Sequence, residues 1–79
     1  MPRLATIGRV GVCVYADDHM PPHFHVLTPD GDAQVRLDSL ELIRGALRRS
    51  DLETAIDWAS DTANRQKLWA EWRRLNERD

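Results

Sequence analysis

The chain has 79 residues, of which 42% are hydrophobic and 30% charged, with a formal net charge of −2. That length is near the lower end of what one core stabilises, so residues 1–79 read as one small domain, and the ordinary apolar share excludes a disordered chain. The mildly acidic balance argues against binding driven by phosphate neutralisation, although Arg44, Arg48 and Arg49, and Arg73, Arg74 and Arg78, form local basic groups that leave nucleic-acid contact open.

From Arg9 to Tyr15 the pattern alternates, with Val10, Val12 and Val14 on one face and Gly11, Cys13 and Tyr15 on the other. Period two with β-branched residues predicts a strand with one buried face. Cys13 is the single cysteine. It excludes an intramolecular disulfide, suits a reducing compartment, and on a strand reads as a packed thiol rather than a nucleophile. The opening residues lack the apolar run of a signal peptide, and no stretch is long enough to cross a membrane. The expectation is a cytoplasmic protein without membrane contact.

Residues 17–22 then form a loop. Pro21 and Pro22 fix φ and remove two backbone donors, so neither a helix nor a ladder runs through them. Residues 23–28 and 33–38 flank Pro29-Asp30-Gly31-Asp32, and Asp-Gly between alternating runs is a strong hairpin signal. With Asp30 and Gly31 as the turn, Val26 faces Val35 and Phe24 faces Leu37. On the other surface, expected to be an exposed polar face, His25 faces Arg36 and His23 faces Asp38. The apolar pairs fall together and so do the polar pairs, as a consistent register requires.

Residues 40–47 read as a short fourth strand, with a single helical turn fitting almost as well. Ser50-Asp51-Leu52-Glu53 matches a capping box. Leu52, Ala55, Ile56 and Ala59 then recur at helical spacing, and so do Leu68, Trp69, Trp72 and Leu75, but out of phase with the first set. At about 100° per residue the first stripe leaves Leu68 on nearly the opposite face, so one straight helix cannot bury both. Ser60-Asp61-Thr62 supplies cap-type residues where the phase breaks. Two helices are therefore predicted, over 50–60 and 62–76, with Trp58, Trp69 and Trp72 supplying much of the burial. Strands first and helices after give an α+β fold: an antiparallel sheet of three to four strands (residues 1–47) followed by two C-terminal helices packed on one face (residues 48–79).

The chemistry-bearing side chains are concentrated in Asp17-Asp18-His19-Met20-Pro21-Pro22-His23-Phe24-His25-Val26, which holds all three histidines. Two apart on a strand, His23 and His25 leave the same face about 6–7 Å apart at Cα. Two imidazoles so placed can share a metal, His19 can close the site across the proline turn, and Asp18 offers a carboxylate. Such a donor set suits zinc or another divalent ion, with Asp38 behind His23 to fix its tautomer. A second reading needs no metal: His23 and His25 divide acid and base roles while Arg36 stabilises a phosphate or oxyanion, the kit of a ribonuclease. A third is structural, with the prolines shaping a turn, His25 paired to a neighbour and Phe24 filling the core.

The nine residues Asp18-His19-Met20-Pro21-Pro22-His23-Phe24-His25-Val26 resemble the Asp-His-x-Pro-Pro-His-Phe-His signature of a small prokaryotic family known as a domain of unknown function. The likeness extends along most of the chain: the strand before the motif, the hairpin, the Leu40–Gly45 segment, a helix containing Trp58 and a terminal helix with Leu68 and Trp72. Members often have a proline near Leu47-Arg48, which this chain lacks. Genes of this family often sit beside a second small domain in pairs that look like toxin–antitoxin modules. The resemblance therefore implies a protein-binding component with a partner encoded nearby, in a toxin or an antitoxin role, and a homodimer is compatible with it. The alternative is a histidine-centred enzyme, metal-dependent or ribonucleolytic. The family brings no cofactor and no assigned catalytic residue.

Overall fold

The computed structural model describes residues 3–16 and 19–76. Within them, five strands are followed by two helices: β1 (Ala5–Ile7), β2 (Val10–Cys13), β3 (His23–Thr28), β4 (Gly31–Arg36), β5 (Leu42–Gly45), α1 (Arg49–Ser60) and α2 (Thr62–Asn76). The strands pair antiparallel in chain order, β1-β2-β3-β4-β5, so β1 and β5 form the two edges. The architecture is the predicted α+β sheet with C-terminal helices, with five strands where three to four were expected. The added strand, β1, is a three-residue segment joined to β2 by a turn in which Gly8 has φ +60°. It is too short to carry a visible alternation, and pairing with β2 holds it in place.

The core is built from one face of the sheet. Val10, Val12 and Val14, then Phe24 and Val26, then Val35 and Leu37, meet Ala55, Ala59, Leu68 and Trp72. Ala55 and Ala59 are fully buried four residues apart, and their small side chains let α1 lie closely against β2 and β3. Trp58 and Trp69 pack partly buried at the margin of this cluster, while Trp72 is inside it. Cys13 is buried and its thiol pKa is pushed up by burial, as a packed cysteine's should be.

Two turns differ from the sequence reading. The β3–β4 hairpin pairs Thr28 with Gly31, His25 with Gln34 and His23 with Arg36, so the two-residue loop is Pro29-Asp30 and the pairing slips by two positions. Phe24 faces Val35 rather than Leu37, Val26 faces Ala33 rather than Val35, and neither Asp38 with His23 nor Arg36 with His25 is a cross-strand pair. A slip of two keeps every side chain on its expected face, so the apolar pattern could not detect it. Proline at the second turn position fixes φ there, and Thr28 Oγ1 accepts a hydrogen bond from the Asp30 amide at 3.2 Å. Gly31 follows at φ +153°. The capping box is also unused, because α1 starts one residue early, with Arg48 at the N-cap and no side-chain cap bond. Ser50 lies inside the first turn, and its carbonyl accepts from Thr54 Oγ1.

The break between the helices falls where expected. Asp61 caps α2, its Oδ2 accepting from the Asn64 amide at 3.1 Å, and Asn64 Nδ2 donates back to the Trp58 carbonyl. From there α2 crosses one end of the sheet. Arg65 donates to the carbonyls of Leu37 and Asp38 beyond β4, and Asn76 donates to the carbonyl of Tyr15 beyond β2. A charge network ties the opposite end together: Arg9 binds both Asp30 and the buried Asp51 at the start of α1, and Arg48 reaches Asp30 at 3.0 Å. Among the described residues no helix is long and apolar enough to cross a membrane.

Candidate functional site

The segment between β2 and β3 lies at the end of the sheet that α2 crosses. Of its residues, Asp17 and Asp18 lie outside the described residues, so the proposed Asp18 ligand has no described position. The Met20–Pro21 peptide bond is cis. The Pro21 carbonyl is 2.7 Å from His23 Nδ1, and because a carbonyl only accepts, Nδ1 carries the hydrogen of that bond. The Pro22 carbonyl accepts from the Leu37 amide at 3.0 Å. Both proline carbonyls are thus engaged, one by the first residue of β3 and one by the residue that follows β4. The loop is held to the sheet by its backbone as well as by its fixed φ angles.

His23 and His25 leave the same face of β3, as their spacing predicted, but that face is not the exposed polar surface expected from sequence. His23 is 3% and His25 7% exposed. Their rings belong to a row of aromatics. Tyr15 and His25 have ring centroids 4.2 Å apart, His25 and His23 5.0 Å, and His23 and Trp72 5.4 Å. The row joins the segment that follows β2, strand β3 and helix α2. Trp72 Nε1 is buried and has no hydrogen-bond partner among the described residues.

Arg36 and Asp38, the other members of the predicted polar face, bind each other. Arg36 donates through Nε and Nη2 to the two carboxylate oxygens of Asp38, both at 2.8 Å. This bidentate bond holds the Asp38 carboxyl down at about 2, against an ordinary value of 3.8. Asp38, expected behind His23, is directed to Arg36. Among the described residues no group of three His, Cys, Asp or Glu side chains is arranged to hold a metal ion. The structure brings His23 and His25 together and sets the exposed His19 on the same cleft as His23.

That cleft has a volume of about 140 Å³ and is lined by His19, Met20, Pro21, His23, Gln34, Ile43 and Arg44. Its far wall comes from an irregularity in β5. Gln34 pairs with Arg44 and Val35 with Leu42, so Ile43 is an extra residue without an opposite number on β4. A bulge of this kind breaks strict alternation, and here consecutive residues, Ile43 and Arg44, both line the cleft. Gly45, next along, has φ +92° and lies against the β4 backbone so closely that an added Cβ would stand 2.4 Å from the Asp32 carbonyl oxygen. Only glycine fits there. The bulge and this close approach together set where Ile43 and Arg44 stand.

Sequence reasoning missed Gln34, Ile43, Arg44 and Trp72 as neighbours of the histidines. Residues 40–47 read only as a short strand or a helical turn, and the glycine after Arg44 is the one local sign of a bulge. The surface around the cleft is unusually apolar for an edge. Met20 is 73%, Leu42 45% and Ile43 40% exposed, the large hydrophobic side chains that the fold leaves in solvent among the described residues.

No curated protein and no solved structure matches the chain. Residues 11–73, from the second residue of β2 to the last turn of α2 and including the whole cleft, match a family described as a domain of unknown function, DUF4160. The chain belongs to that family.

Proposed function

We propose that this protein is a protein-binding component of a two-gene, toxin–antitoxin-like module, and that it meets its partner through the surface formed by the His19–Pro21 loop and β5. The observation that carries the reading is the exposed apolar group Met20, Leu42 and Ile43. Two of these flank a cleft and the third shares the edge strand with Ile43. Apolar side chains around a polar centre mark contact surfaces, and all four residues of β5 are exposed at the edge of the sheet, where a partner can approach. Size supports the same choice. Pockets that enclose a substrate or cofactor run to roughly 300–1,000 Å³, and a cleft of about 140 Å³ is suited to a side chain of another protein. Prokaryotic origin and the paired-gene arrangement follow from the resemblance of the Asp18–Val26 motif, cytoplasmic location is suggested by the single cysteine, and all three belong to this proposal.

The test is co-expression of the full chain with the product of the adjacent gene. The reading predicts a stable complex at micromolar concentration, and separate elution of the two proteins overturns it.

A second reading, a histidine-centred hydrolase or ribonuclease, is favoured by the 5.0 Å approach of the His23 and His25 rings and by His19 on the cleft. Zinc, with His19, His23, His25 and Asp18 as its ligands, is the branch that elemental analysis decides. Untagged protein that retains no divalent ion after equilibration with zinc or manganese removes it. RNA cleavage unaltered by His23→Ala removes the ribonuclease branch.

A further inference from the structure

The polar centre of the cleft has a definite chemical character. Among the described residues its lining contains one guanidinium, one carboxamide and two imidazoles, and no aspartate or glutamate. Arg44 is the charged group. Other arginines near the sheet are engaged: Arg9 and Arg48 by Asp30, Arg36 by Asp38, and Arg65 by the carbonyls of Leu37 and Asp38. Arg44 has no ion pair among the described residues, although it is held on a paired strand opposite Gln34. An arginine spends little at such a position when its charge is left to water. A bulge and an obligatory glycine nevertheless fix the strand that carries it, beside a carboxamide able to donate a second hydrogen bond. Met20 and Ile43 supply apolar walls on either side.

We propose that the cleft recognises a carboxylate, the side chain of an aspartate or glutamate on the partner protein, with Arg44 binding it and the Gln34 amide donating alongside. The guanidinium fork matches a planar carboxylate, and the walls formed by Met20 and Ile43 accept its aliphatic stem. A phosphate fits less well. One guanidinium neutralises little of its charge, and the chain as a whole is acidic. The inference deepens the reading given above by naming what the partner presents at that surface.

The test uses the full chain and a small probe, N-acetylglutamate N-methylamide, followed by two-dimensional ¹H–¹⁵N NMR with inorganic phosphate as the comparison anion. The expected result is saturable binding in the millimolar range. The shifts should centre on the Gln34 side-chain amide, the Arg44 Nε–H and the Ile43 backbone amide. Arg44→Gln should weaken binding at least about tenfold, as loss of a charge-assisted pair does. Arg44 is exposed, so this variant should keep the spectrum of the parent elsewhere. Gln34→Leu should weaken the same binding by a smaller factor. Shifts that fail to saturate by 100-fold excess over a millimolar site (~100 mM,), shifts unchanged in Arg44→Gln, or tighter binding of phosphate than of the carboxylate each overturn the proposal. Failure here with an intact partner complex removes only the carboxylate. Carboxylate binding without any partner complex removes only the protein-binding reading.

Discussion

Trp72 offers a test of the packing around the histidines in which two effects of similar size oppose each other. Its side chain is 1% exposed, it contacts the His23 ring, and its Nε1 hydrogen has no acceptor among the described residues. Replacing it by phenylalanine keeps an aromatic ring against the core. The change loses roughly 50 Å² of the ~150–250 Å² an aromatic side chain buries. At ~25 cal/mol per Å² that costs about 1 kcal/mol. It also removes a buried donor without a partner, whose desolvation costs about 1–3 kcal/mol. The gain matches or exceeds the loss, so Trp72→Phe is expected to lie between parity with the parent and about 2 kcal/mol more stable. Trp72→Ala removes the whole ring and is expected to cost about 3–5 kcal/mol. For a domain of this size 1 kcal/mol corresponds to roughly 4–8 °C in Tm. Thermal unfolding followed by circular dichroism should therefore place Trp72→Phe at or above the parent and Trp72→Ala more than about 12 °C below it. A Trp72→Phe protein as unstable as Trp72→Ala would mean instead that the indole donates a hydrogen bond the folded chain depends on.

Other consequences follow from the local geometry. Gly45→Ala places a methyl against the Asp32 carbonyl at a φ of +92°, so it should destabilise the chain by more than about 1 kcal/mol and abolish amide protection in β5 ahead of the other strands in hydrogen exchange. Asp61→Ala removes the side-chain cap of α2 and should cost about 1 kcal/mol, whereas Ser50→Ala, at a position that caps nothing, should leave the unfolding midpoint within error. For Asp38 the folded carboxyl titrates near 2, below its ordinary 3.8, because Arg36 holds it ionised. Its stabilising contribution is thus complete above about pH 4 and lost as pH falls towards 2. Carboxyl NMR should show that midpoint in the parent and an ordinary one in Arg36→Gln; equal midpoints would mean that the bidentate bond is absent in solution.

Several features were legible in the residues because one physical constraint dictated each. The two apolar stripes of the helical half are incompatible with one cylinder, and that alone divided α1 from α2 at Asp61. Val10, Val12 and Val14 alternate, and they lie in the core with Phe24 and Val26. The hairpin register was not legible, because slipping by two residues leaves the faces unchanged and turn chemistry had to decide. There the fixed φ of Pro29 prevailed over Asp-Gly. Ser50-Asp51-Leu52-Glu53 has the letters of a capping box, but Asp51 is drawn inward to Arg9 and the helix starts before it. The histidine face was misjudged for a related reason. Polar residues on alternating positions suggest solvent, and nothing local announces that Tyr15 and Trp72, from distant elements, will cover them. The cleft depended on a bulge, a departure from period two that alternation cannot express.

Under the proposed function the His19–Pro21 loop and β5 are a contact surface for another protein. Isothermal titration calorimetry of the full chain against the product of the adjacent gene tests it most directly, with Ile43→Asp as the control. Ile43 is 40% exposed at the rim of the cleft, so the variant disturbs that surface and not the core. A Kd of about 1 μM or tighter is expected for the parent, with at least about a hundredfold loss, close to 3 kcal/mol, for Ile43→Asp. No heat of binding for the parent, or equal affinity for both proteins, would contradict it.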